Sequence, residues 1–227
     1  MENKEYSVLI IDDHPLITDA YKSAFNYYSK LNESIVFSIV TAQDCDSAFK
    51  LIKEFSKSEK NLEIVFLDIK LPPSIDGEIL SGEDLGLRIN KMLPDTKIIV
   101  STTFNDNYRV HSIFKNLNPD GFLIKNDITP KELIEAIDTI LNDPPYYSKT
   151  VIKLLRKQVS NDFLLDNIDR KILYELSIGT KMKDLPNILP LSIAGIEKRK
   201  RQLKQIFNII SSDDKELLHI AKEKGFI

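Results

Sequence analysis

Residues 64–72 read Ile-Val-Phe-Leu-Asp-Ile-Lys-Leu-Pro. The apolar run that opens this stretch starts at Leu62, is rich in Ile, Val and Phe, and ends at Leu67, directly before one carboxylate, Asp68. Short runs of this kind between helical stretches are expected to be buried parallel strands, covered on both faces. Four similar runs surround it: Tyr6–Ile11, Ile35–Val40, Lys97–Val100 and Gly121–Ile124. The segments between them have helical period. Ile17, Ala20, Tyr21, Ala24, Phe25 and Tyr28 form one apolar stripe. Leu133, Ile134, Ile137, Ile140 and Leu141 form another, stopped by Pro144 and Pro145. Asp44, Ser81 and Thr129 (followed by Pro130) suit helix N-caps. Five strands alternating with five helices predict an α/β fold, a doubly wound five-stranded parallel sheet. In such sheets functional groups gather at the carboxyl ends of the strands.

Length and composition set bounds on the rest. A chain of 227 residues holds one large domain or two smaller ones. We expect a first domain over 1–143, a linker helix over 144–160, and a second domain over 161–227 with four helical patterns and no convincing strand. Residues 71–81 read as a long loop after the third strand. The chain has no run of about 18 apolar residues, so no membrane partner is expected. Its polar first residues do not resemble a signal peptide. Cys45 is the single cysteine, which excludes an intramolecular disulfide and fits a cytoplasmic location. The net charge of −3 hides an asymmetry: residues 1–160 are acidic and residues 161–227 mildly basic, as for two domains with different partners.

Five polar positions fall at one edge of the expected sheet. Asp12 and Asp13 follow the first strand and Asp68 the third; Thr102 follows the fourth and Lys125 the fifth. Three converging carboxylates repel one another unless a cation is present. A hard divalent ion such as Mg²⁺ suits oxygen donors, and Lys125 and Thr102 add a point charge and a hydroxyl for phosphate oxygens. These are the parts of phosphoryl transfer to a carboxylate. No glycine-rich phosphate loop is present, which argues against nucleotide binding. His14, directly before Pro15, is expected to serve a turn or helix cap.

The segments VLIIDDHP, IVFLDIKLP, KIIVSTT and DGFLIKND resemble the receiver domain of bacterial response regulators over residues 6–141. The resemblance implies a flavodoxin-like fold with Asp68 as phosphoacceptor and a sensor histidine kinase as donor. It implies Mg²⁺ held by Asp13, Asp68 and the backbone carbonyl of Lys70, with Asp12 acting through water. Thr102 would be the switch hydroxyl, Lys125 the phosphate-binding lysine and Phe122 the aromatic that follows the switch. Autodephosphorylation, rather than a dedicated enzyme activity, is implied. Two features depart from the pattern. The loop after Asp68 is long, and Asn126 stands where many receivers place a cis-proline, so a cis bond is not expected there.

The tail supplies a helix with Ile168, Ile172, Leu173 and Leu176 on one face, a short helix over 181–188, and a turn at Leu189-Pro190-Leu191. Ser192 then caps a helix to about 207 that carries Lys198, Arg199, Lys200, Arg201 and Lys204. A last helix starts near 212. This order is that of a helix-turn-helix. The stretch LDNIDRKILYELSIGTKMKDLPNILPLSIAGIEKRKRQL resembles the LuxR-type output domain of NarL/FixJ regulators. That resemblance implies double-stranded DNA as partner, contacted by Ser192 and the five cations. It also implies a homodimer on phosphorylation, with Leu217, Leu218 and Ala221 of the last helix in contact. Gly195, Glu197 and Pro186 depart from the family pattern. The alternative is a tail that engages protein and binds DNA weakly or not at all. A phosphatase with an aspartate nucleophile on the first strand is disfavoured, because Asp12 is followed by Asp13-His14-Pro15 and lacks the second Asp two residues on.

Overall fold

The computed structural model describes residues 4–104, 106–156, 165–210 and 213–227. By packing they form two units, one made of the described residues within 1–105 and 117–154, the other of those within 106–116 and 155–227. The expected linker end and domain start, residues 157–164, lie outside the described residues.

The first unit alternates β1 (Lys4–Ile11), α1 (Pro15–Leu31), β2 (Ile35–Ala42), α2 (Cys45–Phe55), β3 (Ile64–Asp68), α3 (Gly82–Met92), β4 (Lys97–Thr102), β5 (Gly121–Ile124), α5 (Pro130–Asn142), β6 (Tyr146–Tyr147) and α6 (Lys149–Leu155). α4 (Asn107–Leu117) lies between β4 and β5 in the chain. All strands are parallel in the order β2-β1-β3-β4-β5-β6. Every residue of β3, β5 and most of β4 is buried, as unalternating apolar runs require. One face packs Val8, Ile10, Phe66 and Leu123 against Tyr21, Phe25 and Tyr28 of α1 and Leu133 and Ile137 of α5. The caps lie where expected. Asp44 accepts from the Ser47 N–H, Ser81 from the Glu83 N–H, and Thr129 forms a reciprocal box with Glu132.

Among the described residues the sheet has six strands, not the five expected. Pro144 and Pro145 stop α5, and the chain returns along β5 instead of starting a helix at once. The Tyr146 N–H donates to the Asp120 carbonyl at 3.0 Å and the Ser148 N–H to Phe122 at 2.9 Å. Two residues thereby cover part of an edge that β5 would leave open. Of the expected linker helix the described residues show α6, whose start is fixed by Asp127 accepting from the Ser148 hydroxyl, the Thr150 hydroxyl and the Thr150 N–H.

In the second unit, α7 (Asn167–Ser177), α8 (Ile193–Ile206) and α9 (Asp214–Glu223) bury Leu173, Leu203, Phe207, Leu217 and Ala221 together, and Tyr108 of α4 packs on this cluster. Asp106 pairs with Lys224 at 2.9 Å, and the Arg109 guanidinium lies 5.0 Å over the Phe226 ring. The short helix expected over 181–188 is only a 3₁₀ turn, Leu185–Asn187. Pro186 suits the first positions of such a turn but not a helix interior. Among the described residues of the tail, three α-helices and this turn stand where four helices are expected. Leu185 and Leu189 anchor the turn to Ile172 of α7 and Ile196 of α8.

Candidate functional site

The order in which strands are added reverses between β1 and β3, with β2 on one side and β3 to β6 on the other, and crevices form at such switch points. Asp12, directly after β1, and Asp68, the last residue of β3, flank this crevice, and both are buried. Lys125 follows β5 and reaches back between them. Its Nζ lies 2.7 Å from Asp12 Oδ2 and 2.6 Å from Asp68 Oδ2. The Lys70 N–H donates to Asp68 Oδ1 at 2.8 Å, so both oxygens of Asp68 are held. The His14 N–H donates to Asp12 Oδ1 at 3.0 Å.

Two buried acids share one lysine, which leaves a surplus negative charge. Burial pushes the Asp68 carboxyl above its ordinary value, and Asp12 adds to this, although Lys125 and the Lys70 N–H oppose it. For Lys125, burial works against the charged form, but the two carboxylates outweigh it and raise its pKa. The two carboxylates therefore favour the ammonium form of Lys125, and one lysine between two acids leaves room for further positive charge. Donor atoms of Asp12, Asp13, His14 and Asp68 lie within 4.8 Å of one another. Asp12 Oδ2 is buried and receives no hydrogen bond of acceptable geometry despite its ion pair with Lys125. Carboxylate oxygens at this spacing, one of them lacking a hydrogen bond, fit a hard divalent cation.

Thr102 ends β4, fully buried, and its hydroxyl accepts from the Phe104 N–H at 3.3 Å. Phe122 is fully buried in β5, in register with Val100. The peptide after Lys125 is trans; among the described residues the one cis bond is Pro144–Pro145.

Three features were not foreseen. His14 is the N-cap residue of α1, but its side chain caps nothing; Nδ1 lies 2.6 Å from Asp13 and 3.3 Å from Asp12. Gly82 starts α3 directly under the phosphoacceptor strand. A Cβ on it would sit 1.8 Å from the Asp68 carbonyl oxygen, so only glycine fits. The 71–81 loop is folded on itself. The Ser74 hydroxyl donates to Asp76 at 2.6 Å, and the Ile79 N–H donates back to that hydroxyl at 3.0 Å. Asp46 of α2 and Asp84 of α3 accept from the Ile75 and Leu80 N–H groups. An apolar groove of about 840 Å³ lies between α1 and α5, but no converging acids line it. The chemistry belongs to the acidic pocket.

On α8, Ser192 caps the helix by accepting from the Gly195 N–H at 3.2 Å. The five cations divide into two groups. Arg199 Nη1 lies 2.8 Å from both Asp166 and Asp169, the reciprocal cap of α7. Lys200 and Lys204 lie 2.5 and 3.1 Å from Asp214, at the start of α9. These three hold the helices of the unit together. Lys198 and Arg201 are exposed and make no ion pair among the described residues. Leu217 and Ala221 are fully buried in their own unit and cannot supply a dimer contact from this arrangement. The helix faces inward there because both residues lie on its apolar stripe.

A family model described as the response regulator receiver domain matches residues 8–138. The oxygen regulatory protein NreC of Staphylococcus epidermidis is 23% identical over 233 residues, covering 97% of this chain and 98% of its own. A Salmonella enterica serovar Typhimurium RcsB structure, bound to the promoter rprA with the phosphomimetic BeF3−, matches with a TM-score of 0.64 at 19% identity, covering 95% and 98% of the two chains. A structure of two RcsB dimers bound to two parallel DNAs matches with a TM-score of 0.57 at 20% identity, covering 96% and 98%.

Proposed function

Because the chain belongs to the response regulator receiver family, we propose that it is a phosphorylation-controlled transcription regulator, modified on Asp68 and acting through DNA binding by its tail. The observation that carries this reading is Asp68, buried at the end of β3 between Lys125 and the Lys70 N–H. A carboxylate oxygen of Asp68 attacks the phosphorus of a phosphohistidine on a sensor kinase. The new O–P bond replaces the N–P bond, and the histidine leaves with the electron pair. Asp12, Asp13, Asp68 and the Lys70 carbonyl would hold Mg²⁺, which when bound neutralises phosphoryl and carboxylate oxygens. Lys125 passes from the Asp68 carboxylate to a phosphoryl oxygen, and the Thr102 hydroxyl turns to donate to another. Phe122 follows into the space Thr102 leaves. Hydrolysis by water later restores the carboxylate, with inorganic phosphate as product.

Phosphorylation adds roughly two negative charges and three acceptor oxygens, enough to bias a local two-state element. Residues 106–116, the segment shortly after Thr102, pack with the tail unit. Rearrangement of Thr102 therefore has a short covalent route to the output. We place the protein in the cytoplasm with its kinase; among the described residues no helix is long and apolar enough to cross a membrane. Following the RcsB complexes, the phosphorylated form is a homodimer on paired DNA half-sites. Domains over 1–143 and 161–227 with a linker at 144–160 suit this division of labour. The internal pairing of Arg199, Lys200 and Lys204 favours a second reading, a tail that engages protein and binds DNA weakly or not at all. Titration with duplex DNA at two salt concentrations, before and after acetyl phosphate, decides between them. DNA binding must be tighter after phosphorylation and weaken steeply with salt; the absence of binding in both states would select the second reading.

A further inference from the structure

We propose that Glu197 reads a cytosine in the major groove, so that the preferred DNA site contains a required C·G pair opposite the middle of α8. This rests on the DNA-binding reading above and adds a specificity determinant to it. α8 exposes one stripe, Ile193, Ala194, Glu197, Lys198, Arg201 and Gln205, while Ile196, Leu203 and Ile206 are buried on the opposite side. The cations beside the stripe are committed to Asp166, Asp169 and Asp214. Within the stripe, Glu197, Lys198 and Arg201 make no ion pair among the described residues, although Glu197 and Arg201 are one turn apart.

The exposed face thus presents two free cations around one free carboxylate. The cations suit phosphates or guanine edges. A carboxylate facing phosphate would be repelled, so Glu197 is compatible with this surface only if it meets a donor. A carboxylate accepts and cannot donate. In the major groove the cytosine amino group is a donor with no acceptor beside it on the same base, whereas the adenine amino group adjoins the N7 acceptor. An acceptor-only side chain therefore prefers cytosine. The exposed Ala194, one turn before Lys198, has a side chain too short to hold the helix away from the base edges.

The test uses the full chain treated with acetyl phosphate and Mg²⁺, selection from random duplex DNA, and titration of the selected sites. The parent is expected to select one cytosine per half-site, with a preference of about 5- to 150-fold over other bases. Glu197→Gln should shift that position towards adenine, which a glutamine amide can contact at both N6 and N7. Glu197→Ala should lose the preference there and bind non-specific DNA more tightly. Lys198→Ala should weaken all sequences alike and lower the salt slope by about one. An unchanged base preference in both Glu197 variants, with DNA binding intact, overturns this inference alone. A parent that shows no salt-dependent binding overturns the DNA-binding reading and this inference together.

Discussion

Replacing Gly82 with alanine tests how tightly the phosphoacceptor is built into the fold. The new methyl would lie 1.8 Å from the Asp68 carbonyl oxygen and 2.8 Å from its carbonyl carbon. Ordinary contact begins at 3.4 Å, so about 1.6 Å of separation must be found. Neither side yields easily, because both are backbone. The Gly82 N–H donates to the Ile69 carbonyl at 3.1 Å, and the Asp68 side chain is held by Lys70 and Lys125. Overpacking of this kind costs about 1–3 kcal/mol. Helix propensity alone favours alanine over glycine, by up to about 1 kcal/mol, so a net loss reports the clash. If half the shift falls on β3, Asp68 moves by about 0.8 Å, and a displacement near 1 Å lowers a positioned reaction by roughly 100-fold. The assay is the rate of phosphorylation by acetyl phosphate, followed by intact mass, beside a urea unfolding curve. Gly86→Ala on the same helix is the control. Its methyl meets the movable ends of Leu117 and Leu67, so the phosphorylation rate should change little. A Gly82→Ala protein with the parental rate and the parental urea midpoint would refute the reasoning.

Further outcomes follow from the tail and the caps. Arg199→Ala should cost about 2–3 kcal/mol, read by hydrogen exchange of α7 amides, because it leaves the buried Asp169 without its cation; Arg201→Ala should change it by less than about 0.5 kcal/mol. Partial burial raises the Asp214 carboxyl, but Lys200 and Lys204 outweigh it and hold it below its ordinary 3.8. A carboxyl depressed in the folded state stabilises fully above its unfolded value, and that contribution is lost as pH falls through the lower folded value. Asp214→Asn should therefore flatten the acid limb of tail stability, the loss that sets in as pH falls below the ordinary carboxylate range, measured by circular dichroism. Thr129→Ala, which removes the reciprocal cap of α5, should lower receiver stability by about 1 kcal/mol in urea unfolding.

Much of the acidic pocket was legible in sequence because parallel strands deliver their last residues to one edge. Once β1, β3 and β5 were recognised, Asp12, Asp68 and Lys125 had to converge, and the contacts of 2.6 and 2.7 Å follow. The caps were equally legible, being local. β6 was missed because two residues carry no period. The 3₁₀ turn was read as a helix because the apolar spacing at 185 and 189 is the same in both, and only Pro186 distinguishes them. The structural role of Arg199, Lys200 and Lys204 was hidden for a different reason. The partners of Arg199 lie 33 and 30 residues away and that of Lys200 14 residues away, and Lys204 shares Asp214 with Lys200; they are brought near only by the packing of three helices. A run of cations on one helix looks like a DNA surface whether or not acids elsewhere neutralise it. Gly82 was missed likewise, since its constraint is a close approach to a strand fourteen positions earlier.

The most direct test of the account is intact-mass analysis after incubation with acetyl phosphate and Mg²⁺, for the parent and for Asp68→Ala. One added phosphoryl group is expected on the parent, lost when Mg²⁺ is chelated beforehand, and none on Asp68→Ala. No mass gain on the parent, or an equal gain on Asp68→Ala, would contradict it.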